Sequence, residues 1–141
     1  MNRIEVIARG VLIKDEFLLV CRPVGKNYCY LPGGHVEFFE TVQEALQREW
    51  QEELDCSCEL GNFLKFFEEH FMDSNERKHH EYTFLYRVNC SSLHVNEAVK
   101  SNQSHISFEW VPLNDLHKHS LLPKSMQTYL MCLNTPKAIA R

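Results

Sequence analysis

LPGGHVEFFETVQEALQREWQEELDC, residues 31–56, decides how this chain is read. The stretch holds six glutamates and Asp55 against a single arginine, Arg48, and no lysine. An exposed helix ordinarily balances its acids with cations three or four residues away. Pro32-Gly33-Gly34 is a strong chain break. Thr41 and Glu44 then form a T-x-x-E capping box. Val42, Ala45, Leu46, Trp50 and Leu54 recur at helical spacing, so the segment predicts an amphipathic helix ending near Leu54 or Asp55. Glu49 lies three and four residues before Glu52 and Glu53, which puts the three carboxylates on one side. Like charges at those spacings weaken an isolated helix by about 0.2–0.5 kcal/mol per pair. A divalent cation reverses that sign. Mg²⁺ takes oxygen ligands and is commonly held by a few carboxylates together with substrate phosphates. The plain alternative is a solvated acidic face. Two features favour the metal platform. Gly33-Gly34 lets backbone approach a ligand closely, and Glu40 and Arg48 are placed to lock the loop onto the helix.

Around this stretch the chain is ordinary. Its 141 residues suit one domain, residues 1–141. Hydrophobic residues make up 44%, enough for a real core. A net charge of −4 and a pI near 6.0 argue against a protein that coats duplex nucleic acid. Charges interrupt the apolar N-terminal segment, and no apolar run reaches membrane-span length, so a cytoplasmic protein with no membrane partner is expected. In that setting the six cysteines are expected to be reduced, half-buried thiols. Cys56, Cys58 and His79-His80 make a zinc set on paper only, because their spacing fits no common module.

The periodicities give the remaining elements. Ile4–Ile13 and Phe17–Cys21 read as a hairpin about the turn Lys14-Asp15-Glu16. Leu60–Phe71, Tyr82–Val88 and Ile106–Val111 read as further strands. Met126, Tyr129, Leu130 and Leu133 give a closing helix, with Pro123 in its first turn. Strands with packed helices make an α/β or α+β domain with a mixed sheet.

The acidic stretch resembles the Nudix box, G-x5-E-x7-R-E-U-x-E-E-x-G-U, where U is a bulky apolar residue. Gly34, Glu40, Arg48-Glu49, Trp50 and Glu52-Glu53 fall in register over residues 34–56, and every charged position matches. Phe108–Leu116 (FEWVPLNDL) is also similar to the family, less specifically. Two positions depart from the pattern. Asp55 replaces the family's glycine, a place where a left-handed residue is common and which Asp tolerates. Cys56 occupies the last apolar position.

The resemblance implies an α/β/α sandwich around a mixed β-sheet. It implies a hydrolase that uses Mg²⁺ or Mn²⁺ to cleave the diphosphate of a nucleoside diphosphate linked to another moiety. Glu49, Glu52 and Glu53 would then be the catalytic and metal-binding carboxylates, and the Gly33 carbonyl a further metal ligand. Glu40 and Arg48 would be structural. Arg22 and Gly34 are the candidate substrate contacts. Many relatives carry another acid before a late Trp, and here only Glu97 and Glu109 lie near Trp110. Signatures of the coenzyme A, ADP-ribose and dinucleoside polyphosphate subgroups are missing. Tyr28, Tyr30, Phe38 and Phe39 could stack on a base, though core packing is the stronger expectation. Relatives often form homodimers. The competing readings are a non-catalytic nucleotide sensor on the same fold and a thiol or zinc protein built on Cys56 and Cys58.

Overall fold

The computed structural model describes residues 2–133. Strands β1 (Ile4–Val11), β2 (Ile13–Lys14), β3 (Phe17–Pro23) and β4 (Gly33–His35) precede helix α1 (Val42–Leu54). After it come β5 (Glu59–Met72), β6 (Lys78–Asn89), β7 (Ile106–Pro112), a 3-10 turn at Leu113–Asp115 and helix α2 (Met126–Cys132). One sheet has the order β4-β1-β6-β5, and a second has the order β2-β3-β7. Within the first sheet β1 pairs parallel with β6 and antiparallel with β4, and β5 pairs antiparallel with β6, so this sheet is mixed, as expected.

The single strand expected over Ile4–Ile13 divides at Leu12, and its two parts enter different sheets. Val11 and Leu12 are both buried, each in a different half of the core, so the chain turns there instead of running straight. Asp15 and Glu16 form the two-residue turn of the β2–β3 hairpin, with φ of 51° and 67°. Positive φ at both central residues is the type I′ geometry that matches strand twist.

β1 separates two apolar layers. Ala8 and Leu12 belong to one, with Ala45, Leu46, Trp50 and Leu54 of α1. Val11 belongs to the other, with Leu31, Leu85, Leu121, Met126 and Leu130. The helices thus flank the sheets in the layered sandwich that was expected. Each fully buried Leu contributes about 1.5–3 kcal/mol relative to an exposed one. Trp50 sits directly on Gly10, where an added Cβ would come within 2.9 Å of the indole.

Pro123 stands ahead of α2, not within its first turn; the last expected helix residue, Leu133, is its C-cap. β6 begins at Lys78, four residues before the expected start, because the hairpin turn is closed by Asp73. Its side chain accepts from the backbone N–H of Asn75 and of Arg77, at 2.8 and 3.0 Å. The cysteines are not all reduced: Cys56 and Cys90 are joined as a disulfide, with Cα atoms 6.9 Å apart. The end of α1 and the end of β6 converge in the same apolar layer, a proximity that linear spacing does not reveal. Cys21, Cys29 and Cys58 are buried unlinked thiols. No helix among the described residues is long and apolar enough to cross a membrane.

Candidate active site

Local chemistry fixes the start and end of the acidic helix. The Thr41 hydroxyl accepts from the Glu44 N–H at 3.1 Å, and the Glu44 carboxylate accepts from the Thr41 N–H at 2.9 Å. Two of the four orphan donors of the first turn are thereby satisfied. At the other end Asp55 is left-handed, with φ 51° and ψ 47°, and its N–H donates to the Gln51 carbonyl. Asp does here what glycine does at most helix ends.

Arg48 is the hub of the loop–helix unit. Its Nε and Nη2 donate to the two oxygens of Glu40, at 2.7 and 3.0 Å, a fork-on-fork pair. Nη2 also donates to the His35 carbonyl at 3.0 Å, and Nη1 to Glu49 at 2.9 Å. Glu40 in turn accepts from the Glu37 N–H at 2.9 Å. These bonds hold the Glu40 carboxyl at a pKa of about 2, with the Arg48 hydrogen bonds as the largest cause. The lock expected between Glu40 and Arg48 is present and reaches back to β4.

The Glu53 side of the helix is different. Glu53 is mostly enclosed, and its Oε1 is buried with no hydrogen-bond partner among the described residues. Burial first, then the neighbouring Glu49, pushes its pKa up to about 8. Glycine is required opposite. A Cβ on Gly34 would collide with the Glu49 carboxylate, and one on Gly33 (φ 146°) would collide with the Ala8 carbonyl. The bare backbone of Gly34 therefore cradles Glu49, and β4 sits tight against β1. An orphaned carboxylate oxygen, a second carboxylate pressed against it and a close backbone form an oxygen-rich donor set suited to a hard divalent cation. Glu49 lies against Gly34 with Glu53 beside it, whereas Glu52, expected on the same side as both, meets Arg48 at 3.5 Å on the exposed side.

Other candidates fall elsewhere. Arg22 is committed to Glu109, donating from Nε and Nη2 at 3.2 and 2.6 Å, on the β3–β7 sheet. Glu109 is thus a partner of Arg22. Glu97 is exposed in the loop before β7. That loop touches the helix through backbone: the Asn102 N–H donates to the Glu53 carbonyl at 2.8 Å. Phe38 and Phe39 are not core residues; they are 99% and 97% exposed, carried out on the turn that precedes Glu40. Cys56, tied to Cys90, forms no group with Cys58 and His79-His80, so the zinc set does not assemble.

One participant was not singled out from the sequence. Arg9 on β1 donates to the Leu31 carbonyl at 3.1 Å and lies over the Tyr30 ring, 4.9 Å from its centroid. Its charge reaches Glu53 and lowers that carboxyl's affinity for a proton. Arg9 also lines a cavity of about 340 Å³ with Tyr30, Phe71, Glu81 and Leu122. The available signal was a cation at the centre of a strand that is otherwise largely buried.

A family model described as NUDIX domain matches residues 2–130. Solved structures share the fold at low identity. A UDP-X diphosphatase matches with a TM-score of 0.67 and 16% identity, over 94% of this chain and 63% of that one. A MutT protein from Methanosarcina mazei Go1 matches with a TM-score of 0.65 and 20% identity, over 94% of each chain. An ADP-ribose pyrophosphatase from Streptococcus suis matches with a TM-score of 0.61 and 15% identity, over 94% of this chain and 93% of that one.

Proposed function

The chain belongs to the Nudix family of hydrolases acting on phosphoric anhydrides, and we propose that it cleaves the diphosphate of a nucleoside diphosphate linked to another moiety, in a reaction dependent on Mg²⁺ or Mn²⁺. The buried, unpartnered Glu53 Oε1 beside Glu49 carries this reading. Such an atom costs stability unless a ligand completes it.

Glu49, Glu52 and Glu53 would hold the metal, with the Gly33 carbonyl as a further donor. When bound, the metal offsets charge on the diphosphate and makes water at the site more acidic. The protein's share is to orient and to take a proton. As the water oxygen adds to phosphorus, one P–O bond of the diphosphate breaks and two phosphate-bearing products leave. The water proton passes to a carboxylate, for which Glu49 and Glu52 are the candidates, while Glu53 serves as a metal ligand. Arg48 keeps Glu49 in place, and Gly34 lets the phosphates reach it. The nucleoside end fits the cavity of about 340 Å³, which lies within the usual range for small-molecule sites. Tyr30 and Phe71 offer ring faces there, while Arg9 supplies a polar contact.

The test is turnover by the purified protein with Mg²⁺ across nucleoside triphosphates, nucleotide sugars, ADP-ribose, dinucleoside polyphosphates and 5′-triphosphate RNA. Release of phosphate-bearing products from one class, abolished in Glu53→Gln, supports the hydrolase and identifies its substrate. Binding without turnover throughout the panel would instead make the protein a nucleotide sensor.

A further inference from the structure

On the far side of the first sheet from the box helix, two carboxylates stand opposite each other. Glu5 of β1 and Glu81 of β6 are register partners in the parallel pair. Like charges placed directly across a ladder destabilise it. His79, two residues before Glu81, shares that face of β6. One donor atom from each of Glu5, His79 and Glu81 lies within 4.8 Å of the other two, and all three side chains are half-buried. We propose that these three residues form a second divalent-metal site, separate from the box and selective for a first-row transition ion such as Zn²⁺.

The imidazole sets this cluster apart from an ordinary acidic patch, and it is held in the pose of a ligand. Its Nε2 meets the Asp73 carboxylate at 2.9 Å, while Nδ1 faces Glu5 Oε2 at 3.2 Å. Its ring stacks on Phe71 with centroids 4.9 Å apart and planes 11° from parallel. A carboxylate behind the distal nitrogen is the usual outer arrangement of a ligating histidine, and with the proton on Nε2 the Nδ1 atom would share a metal with Glu5. Asp73 is itself anchored by the hairpin turn through the N–H groups of Asn75 and Arg77. Glu5 is oriented from its other oxygen, which lies 2.6 Å from His35 Nε2.

The dimensions fit. Two ligands at about 2.0–2.2 Å from one ion stand roughly 3.5–4.2 Å apart, so closure needs only small side-chain rotations. Ions can enter from an open cavity of about 620 Å³ lined by Glu5, His79, Arg3, Arg77 and Lys78. One nitrogen and two oxygens suit Zn²⁺ or Mn²⁺ better than Mg²⁺, which favours oxygen alone. The two metal sites therefore differ in ligand chemistry. The positive charge of Arg9 reaches both Glu81 and Glu53.

Calorimetric titration of Zn²⁺ into the full chain tests this, with accessible thiols alkylated and millimolar Mg²⁺ present to occupy the box. One Zn²⁺ per chain is expected. His79→Ala and Glu5→Gln should each weaken it at least tenfold, and Asp73→Asn roughly tenfold to a hundredfold, as for other outer partners of a ligating histidine. Glu52→Gln should bind as the parent does. Nitrogen-15 spectra of the unsubstituted protein should show Zn²⁺ on Nδ1 of His79, a readout that no folding defect can imitate. Three results would each overturn the proposal: no Zn²⁺ binding in Mg²⁺, binding indifferent to His79→Ala, or a proton retained on His79 Nδ1 at saturating Zn²⁺. The last would make His79 a simple cationic bridge between Glu5 and Asp73.

Discussion

Glu40 and Glu53 are the same residue type, thirteen positions apart in one loop–helix unit, and they live in opposite environments. Glu40 receives two hydrogen bonds from Arg48 and one from backbone, and it stays ionised down to about pH 2. Glu53 is enclosed, faces another carboxylate and retains a proton up to about pH 8. The first is finished as the chain folds. The second is left incomplete, and in the proposed reaction that incompleteness is what a divalent cation would use. Stability and chemistry are thus divided between the two ends of one segment.

Removing the reactive end should have the largest effect. Glu53→Gln is expected to lower turnover by about 10³-fold, in the range set by loss of one electrostatic stabiliser of the transition state, here a charged metal ligand. Steady-state assays on the identified substrate measure it, and substrate binding should be largely kept. If Glu53→Gln retained more than a tenth of the activity, the contrast with Glu40 would lose its functional meaning. Gly34→Ala comes next. Its methyl displaces the Glu49 carboxylate, and misplacement on the ångström scale costs about 10²-fold. Turnover should fall with little change in thermal stability, because the helix caps are untouched.

The two carboxyls should also give opposite pH slopes in the metal-free protein. The folded-state pKa of Glu53 lies above its ordinary value of 4.5, so its stabilising contribution is whole below about 4.5 and is lost as pH rises through about 8. Scanning calorimetry in a chelator should therefore show Glu53→Gln melting a few degrees above the parent at pH 9 and level with it at pH 4. Saturating Mg²⁺ should narrow the gap. Glu40 has a lowered pKa, so its contribution is present above 4.5 and disappears as pH falls through about 2. Glu40→Gln should accordingly destabilise at pH 7 and cease to matter near pH 2. The smallest effect belongs to the helix start: Thr41→Ala should cost about 1 kcal/mol in chemical denaturation and leave the pH slopes unchanged.

The box was legible because helical spacing is a one-dimensional rule. Once Thr41 starts the helix, the sides taken by Arg48, Glu49 and Glu53 follow from turn geometry, and Asp55 could be read as left-handed from its position alone. The rest depended on pairings between distant strands. Glu5 meets Glu81 only through the β1–β6 register, and Cys56 meets Cys90 only because α1 and β6 end in the same layer. Arg22 looked available for phosphate until β3 paired with β7 and brought Glu109 beside it. Phe38 and Phe39 illustrate another limit. Apolar character predicts burial, but these residues lie on a turn whose path is dictated by the need to bring Glu40 to Arg48.

The contact between Trp50 and Gly10 carries a lesson for inheritance. The indole occupies the space that any side chain at position 10 would claim, so neither residue is free to change first. A larger residue at position 10 demands a smaller one at position 50, and a smaller residue at 50 leaves a hollow beside Gly10. Descendants of this chain are therefore expected to keep both residues or exchange both, moving along a narrow path in which strand and helix record each other's history.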